Sequence, residues 1–497
     1  MASPKKESFF VAFLKPNNVS PLLAAIAAGL YPIFFYYSNN YPLVNTWGHF
    51  GYFLSMFIGV PFVVFLFAKL IQKKIVPEKF KKYIFPFLNI FIFLFLMKVC
   101  LYAGIQKKMI VVIFFIAIVA AYLLHKHLKK IIALQLILAI IAGFSLTQHI
   151  VKQLTYDTSW MQQPDEIASA TFKKKPNIYY IQPDGYVNFS TLRKAPYNYD
   201  NTKFENFVAA NGFVHYPNFR SNYAATLSSN SSTFMMKHHY YNGEKSFNEA
   251  LNARDIIMSK NTVLDVFKGN GYNTTFLGEK HYLLMNKPTL GYDNSNIIVS
   301  EIPFIGTGLG KQRNVVQILD SLKVNNAKPQ FFFIEMFNPG HIEGRESISD
   351  GSKIEREEWL ESLKKANENL TQLITVVKKK DPNALIIIMA DHGGFVGMNF
   401  TEQIYKKTQD AGIINSIFSS NLLIHWPNNE APSYDEKLVS SVNLFRILFS
   451  YLSENEQYLT NLEDNSSYVI LNEGAPNDVY KYINDAGDIT LEKVFKN

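Results

Sequence analysis

The residues best equipped for chemistry are Asp391 and His392, which close the apolar run Ala384-Leu-Ile-Ile-Ile-Met-Ala and precede Gly393-Gly394. Side by side they offer an oxygen and a nitrogen ligand to a divalent cation. Three other segments carry reactive groups after short apolar stretches: Ile181-Gln-Pro-Asp184-Gly-Tyr186, the hydroxyl-rich run Ser221 to Ser231, and Phe337-Asn-Pro-Gly-His341-Ile-Glu-Gly-Arg345. Two aspartates, one histidine and one hydroxyl make an O/O/N/O set. That set suits one Zn²⁺ or Mn²⁺ ion, and suits Mg²⁺ less because of the imidazole. A hydroxyl is a weak nucleophile at neutral pH, and coordination to such an ion activates it. His341 is a candidate phosphate contact or acid toward a leaving group. Arg345 has the planar fork that holds a phosphate, and His425, in Leu-Ile-His-Trp-Pro, is a further candidate substrate contact. Each has a plainer reading. Pro183-Asp184-Gly185 is a good turn, the 221–231 run is a capped helix start, Arg345 is a surface arginine, and His425 is a satisfied histidine at a strand end.

The elements that must position these groups alternate. Asn177–Gln182, Tyr272–Leu277, Gln330–Met336, Ala384–Met389 and Ser420–His425 read as strands. Asn201–Ala210, Asn261–Lys268, Glu355–Lys379 and Ser440–Leu452 read as helices. Continuous apolar character in short strands marks strands buried on both faces. The βαβα order then predicts an α/β domain with a mainly parallel sheet sandwiched by helices over 177–497. In such sheets, ligands collect at the carboxyl ends of the strands.

Ahead of this domain the composition changes. Residues 1–150 hold 15 lysines and two acids, Glu7 and Glu78, a net of +13; the remainder holds 34 basic and 39 acidic residues, a net of −5. The high pI thus belongs to the first third and gives no reason to expect nucleic-acid binding. That third reads as an α-helical membrane module with five spans: Pro21–Tyr37, Tyr52–Leu70, Tyr83–Ile105, Met109–Leu124 and Ile131–Leu146. The last two are short against the ~20 residues a bilayer takes. Lys5, Lys6 and Lys15, then 73–82, then 126–130 hold most of the loop lysines, and only Lys107 and Lys108 lie on the other side. The positive-inside bias predicts a cytoplasmic N-terminus in a multi-pass cytoplasmic membrane protein, with the C-terminal domain periplasmic or extracellular. Lys98 is the one clear charge inside a span, read as paired locally or snorkelling. Residues 151–176 read as a polar linker. The single cysteine, Cys100, lies inside a span, so no disulfide within the chain is possible.

The strand Asn177-Ile-Tyr-Tyr-Ile with Asp184-Gly185, the Thr-containing run around residue 226, and the apolar strand into Asp391-His392-Gly393 resemble the alkaline phosphatase/sulfatase superfamily over roughly Asn177 to Leu452. Preceded by five spans, such a domain looks like the lipoteichoic acid synthases and phosphoethanolamine transferases. The resemblance implies that Asp184, Thr226, Asp391 and His392 hold the metal and that Thr226 carries the transferred phospho-group. Those transferases usually place Glu where Asp184 stands, and Asp-Gly is commoner in the phosphodiesterase branch. The sulfatase signature C/S-x-P-S-R is absent from the chain. Ser221 and Ser228 stay open as alternative nucleophiles.

The expected function is a membrane-anchored, metal-dependent transferase. It moves a phosphorylated headgroup from a membrane lipid to a glycan or lipid acceptor through a phospho-threonine. The alternatives are a sulfatase-like phosphodiesterase or phosphatase with water as acceptor, or a metal-free binding module of surface-polysaccharide assembly.

Overall fold

The computed structural model describes residues 19–102, 104–244, 250–306, 308–323 and 327–494. Lys5, Lys6 and Lys15, used above for orientation, lie outside them. The chain divides between Tyr156 and Asp157 into two compact units, with 303–308 counted in the first.

The first unit is helical: Pro21–Val44, Trp47–Leu54 running on through Val60–Lys74, Glu78–Leu101, Lys107–Leu124 and Leu128–Leu154. Four stretches among the described residues are long and apolar enough to cross a membrane, against five expected. The difference arises because the last two expected spans are continuous through a short turn at His125–His127, giving one stretch from Lys107 to Met161. Leu124 and His127 leave helical geometry on either side of that turn (ψ 8° and 13°). The 55 residues are more than twice what one span takes. Helix Pro21–Val44 buries Ala24, Ala25, Ala27 and Ala28, small residues that let neighbouring helices approach. Lys98 is buried and donates to the carbonyl of Gly104, a local pairing.

The second unit holds a seven-stranded sheet: β1 (Ile178–Pro183), β2 (Phe213–His215), β3 (Asn273–Gly278), β4 (Asn294–Ser295), β5 (Gln330–Met336), β6 (Leu385–Met389) and β7 (Leu422–His425). Their order is β2-β7-β6-β1-β5-β3-β4. The pairs within β6-β1-β5-β3-β4 are parallel, and β7 runs antiparallel to both β6 and β2. β1, β5 and β6 are buried at every residue, as their unbroken apolar runs require. Alternation along the strands splits the core in two. Tyr179, Ile181, Phe332, Ile334, Ile386 and Ile388 face one layer; Ile178, Tyr180, Phe331, Phe333, Leu385 and Ile387 face the other. The first layer is closed by helix α2 (Ser352–Lys380), whose Trp359, Leu363, Ala366, Leu370, Leu373 and Val377 recur at helical spacing. The second is closed in part by Phe234 of helix α1 (Thr226–Met235).

Two features lie beyond the pattern read from sequence. A second sheet, antiparallel, is built from β8 (Ser467–Leu471), β9 (Asp478–Ile483) and β10 (Ile489–Lys493). The polar stretch after residue 157 also packs onto the domain. Ile167 and Phe172 are buried, and Arg446, itself fully buried, pairs with Asp165 at 2.6 Å. Lys173 and Lys174 lie 3.7 and 3.6 Å from the Glu454 carboxylate.

Candidate metal and nucleophile site

Parallel pairing of β1 with β5 and β6 brings the segments after their carboxyl ends together. Asp184 follows β1. Gly185 sits at φ +64°, and a β-carbon there would lie 2.1 Å from the Gly340 carbonyl, so only glycine lets the two loops touch. Gly340 N donates to the Asp184 carbonyl at 2.8 Å and ties the His341 loop to this turn. Helix α2 braces the same loop: Trp359 Nε1 donates to Gly340 O and Ser362 Oγ to Pro339 O. Asp391 and His392 follow β6. Gly393 lies against the Ser416 carbonyl, where a β-carbon would again approach to 2.1 Å.

Asp184, Asp391 and His392 each present one ligand atom, all within 4.8 Å of one another. His392 Nδ1 bonds to the Gly393 carbonyl at 2.8 Å, which fixes that nitrogen as the donor and leaves the Nε2 lone pair free. Nε2 stands 3.5 Å from Asp184 Oδ1, 3.5 Å from Asp391 Oδ2 and 3.3 Å from Thr226 Oγ1. Asp391 Oδ1 accepts from the backbone N–H of Gly185 and His392 at 3.2 and 3.1 Å. Asp184 Oδ1 and Asp391 Oδ2 are buried with no hydrogen-bond partner among the described residues. Two carboxylate oxygens turned inward onto an imidazole lone pair are costly unless a cation joins them. The donor set therefore fits a divalent metal.

The electrostatics point the same way. Burial and the Asp391 charge push Asp184 up to about 6, with His392, His341 and Lys280 pulling it down. Burial opposes protonation of His392, but Asp391 and Asp184 outweigh it and raise its pKa.

Thr226 opens helix α1. The residue before it, Ala225, makes no side-chain cap, so the first N–H groups of the helix are left to what lies at this end. Thr226 is half-buried, whereas Ser221 is fully buried with its hydroxyl on the Phe418 carbonyl, and Ser228 is buried. Ser229 bonds the Asp391 carbonyl at 2.6 Å and braces helix against strand. His341 is exposed, its ring centroid 6.1 Å from that of His392, with Nδ1 bonded to the Ile342 carbonyl at 2.7 Å.

The structure thus brings Asp184, Thr226, Asp391, His392 and His341 together. It does not bring the other two candidates. His425 pairs with Ile386, early in β6 and away from its carboxyl end, where its Nδ1 bonds the Ala384 carbonyl at 3.0 Å. Arg345 is 76% exposed and 3.7 Å from Glu402. One charge was missed by sequence reasoning: Lys280, just past β3, lies over the Phe337 ring and acts on Asp184. Its signal was its place after a strand, but no motif flags a single lysine.

A protein-family profile described as Sulfatase matches residues 190–453. No curated protein sequence matches the chain significantly. Among solved structures, the chain is similar to the integral membrane protein lipooligosaccharide phosphoethanolamine transferase A from Neisseria meningitidis, at 12% identity and TM-score 0.42, covering 88% of this chain and 96% of that one. It is also similar to the C-terminal periplasmic domain of EptC from Escherichia coli in complex with Zn, at 12% identity and TM-score 0.40, covering 57% and 85%. A third is a protein described under glycosaminoglycan metabolism by Bacteroides thetaiotaomicron, at 13% identity and TM-score 0.41, covering 64% and 89%.

Proposed function

This chain belongs to the sulfatase family of the alkaline phosphatase/sulfatase superfamily, and from that premise we propose that it is a membrane-anchored phospho-group transferase using Thr226 as nucleophile. The observation that carries the reading is the Thr226 hydroxyl, bonded to the His392 Nε2 and beside two orphaned carboxylate oxygens, at an uncapped helix start. Asp184, Asp391, His392 and Thr226 are the proposed ligands of one Zn²⁺ or Mn²⁺. When bound, that ion lowers the pKa of the hydroxyl and neutralises charge on the phosphoryl oxygens.

Thr226 Oγ, its proton released to solvent, forms a bond to phosphorus and the bond to the lipid alcohol breaks. His341, whose Nε2 is not the nitrogen held by Ile342, protonates the leaving oxygen. The helix N-terminus and Lys280 hold the non-bridging oxygens. In the second half an acceptor hydroxyl gives its proton to His341 and takes the phospho-group from Thr226. Tyr-rich and Phe-rich apolar helices of membrane length in the first unit support a lipid donor, and the lysine distribution supports a cytoplasmic N-terminus with the catalytic unit outside.

Phosphoryl rather than sulfuryl chemistry is favoured because a threonine, not an oxidisable Cys or Ser in a C/S-x-P-S-R setting, stands at the metal-facing position. A hydrolase reading draws on one observation, Asp184-Gly185 at the end of β1 in place of the longer Glu of the transferases; water is then the acceptor in the second half. A metal-free binding module is disfavoured by the same orphaned carboxylates.

The test uses full-length protein in lipid vesicles. Metal-dependent headgroup transfer, a phosphorylated Thr226 by mass spectrometry, and loss of both in Thr226→Ala support the assignment. Full activity in Thr226→Ala refutes it.

A further inference from the structure

Beside the loop that carries His341 is a cavity of about 520 Å³. It is lined by Phe400, Glu402, Gln403, Tyr405, Lys406, Asn472 and Glu473. That volume is within the range of small-molecule sites, which run to several hundred Å³. Two contacts fix the cavity next to the catalytic loop: Thr401 N donates to Glu343 O at 2.9 Å and Glu402 N to Gly344 O at 3.2 Å. On the other side Tyr405 O accepts from the N–H of Asn472 and Glu473, just past the end of β8. β8 leads back to the nucleophile, because Tyr468 N donates to Asn222 O and Tyr468 bridges Tyr223, three residues before Thr226. The Tyr241 hydroxyl donates to the Tyr468 carbonyl at 3.2 Å and its ring packs edge-on against Tyr223. The cavity is therefore framed by the segments that lead to Thr226 on one side and to His341 on the other.

Its chemistry selects among ligands. Lys406 Nζ is held by Glu473 at 2.7 Å, and Glu402 faces Arg345 at 3.7 Å. Each carboxylate has a cation opposite it, so the cavity offers an anion no unmatched positive charge and an ammonium group no unmatched negative one. Asn472 carries both donors and an acceptor, and Gln403, whose Oε1 accepts from Asn399 N at 2.8 Å, offers its amide donors. Phe400 and Tyr405 supply aromatic faces, and Tyr405 a polar tip as well. Flat apolar faces with alternating donors and acceptors match a ring that has C–H faces and a hydroxyl rim. A lipid tail would leave the side-chain amides without partners.

We propose that this cavity is the acceptor subsite and that it takes an uncharged sugar residue of a glycan. The inference rests on the transferase reading and names its substrate. A hydroxyl of the bound glycan forms the new bond to phosphorus, the bond from phosphorus to Thr226 Oγ breaks, and the hydroxyl proton passes to His341 Nε2.

The experiment uses full-length protein in nanodiscs and three neutral probes: chitotriose, maltotriose and gentiobiose. Saturation-transfer NMR on Thr226→Ala protein reads glycan binding without turnover. Cleavage of bis(p-nitrophenyl) phosphate by protein with native Thr226 reads the donor half alone. At least one probe is expected to bind, and adding Phe400→Ala or Asn472→Ala is expected to weaken it about tenfold. In protein with Thr226 intact, the same two substitutions are expected to raise the KM for that glycan in transfer by a similar factor. They should leave donor cleavage within about twofold. Asn472→Ser, which keeps a polar group at minimal cost to folding, is expected to give an intermediate loss at unchanged melting temperature. No binding by any probe, binding indifferent to both alanine variants, or donor cleavage falling in parallel with transfer overturns the subsite. Those results leave the nucleophile assignment standing, whereas full activity in Thr226→Ala removes that assignment and leaves a measured glycan site in place.

Discussion

The two ends of the central sheet use the same kinds of residue and finish them in opposite ways. Where β1, β5 and β6 begin, every polar group named here is matched. Asn177 Nδ2 donates to Asp381 Oδ2 at 2.8 Å, Gln330 N donates to Asn177 Oδ1 at 2.9 Å, and His425 Nδ1 bonds the Ala384 carbonyl. Where those strands end, Asp184 and Asp391 each keep a buried oxygen without a partner, and both face the His392 lone pair. An aspartate, an asparagine and a histidine at one end hold the fold. Two aspartates and a histidine at the other end face one another without such partners, an arrangement that costs the metal-free fold and that a cation would relieve. Residue type does not separate the two ends; hydrogen-bond satisfaction does.

The largest effect is expected from Thr226→Ala. Its hydroxyl bonds only toward the open end, so headgroup transfer is expected to fall by at least about 10³-fold, with a melting temperature within a few degrees of the parent. A steady-state assay and a thermal scan on one preparation check both halves. Next come the carboxylates. Asp184→Asn and Asp391→Asn are each expected to weaken Zn²⁺ or Mn²⁺ binding by about 100-fold or more, read by titration calorimetry. The metal-free protein should be no less stable, because one of two facing charges is gone. Asp381→Ala at the other end is expected to do the reverse: metal affinity unchanged and stability lower by about 1–2 kcal/mol. If Asp391→Asn lowered metal-free stability as much as Asp381→Ala does, the distinction between the ends would collapse.

This contrast also marks what the chain reveals before folding. The strands from Asn177, Gln330 and Ala384 are legible because continuous apolar runs of that length have few other uses. Asp184, Asp391 and His392 are legible because they break those runs at one end. His425 looked equivalent, an imidazole at the end of the strand Ser420–His425. It differs because β7 runs antiparallel to β6, so the carboxyl end of β7 lies beside the start of β6. Direction within a sheet is a property of pairing between distant segments and leaves no mark in a four-residue strand. The three-stranded sheet of β8–β10 was equally hidden. Its last strand is mostly exposed, with no clean apolar alternation. The packing of 157–172 depends on Arg446, nearly 300 residues away.

Acid acts in opposite senses on two buried groups, at a smaller scale. Burial holds the His239 imidazole down at about 4, so it stays neutral in the fold while the unfolded chain protonates near 6.5. Its contribution is fully present above pH 6.5 and is lost as pH falls toward 4, on the order of 2–3 kcal/mol. Asp184 works in the opposite sense in metal-free protein. Its folded pKa of about 6 exceeds its ordinary value of 3.8, so its contribution is present below 3.8 and is lost as pH rises through 6. Between pH 6 and 4 the two effects partly cancel without metal. With metal bound, Asp184 is held ionised and acid must also expel the ion. Thermal scans at pH 7, 5.5 and 4.5 are expected to show a steeper fall for metal-loaded than for chelator-treated protein. Equal slopes would show that protonation of Asp184 is not coupled to metal.

The smallest effects are expected at the two residues the sequence offered as substrate contacts and the fold keeps away. His425→Ala removes a buried ring that packs on Phe213, centroids 5.6 Å apart, together with one hydrogen bond. Its expected cost is about 1–2 kcal/mol of stability. Arg345→Ala removes a side chain that is mostly in solvent and a long ion pair, a change of a few tenths of a kcal/mol. Neither should alter kcat/KM for cleavage of a small donor diester by more than about twofold. For His425 the reason is its place at the closed end. For Arg345 it is that its fork lies beside Glu402. A tenfold loss of kcat/KM in either variant at unchanged melting temperature would return that residue to the site. For His425 it would also mean that hydrogen-bond satisfaction does not distinguish the working end of this sheet from the structural one.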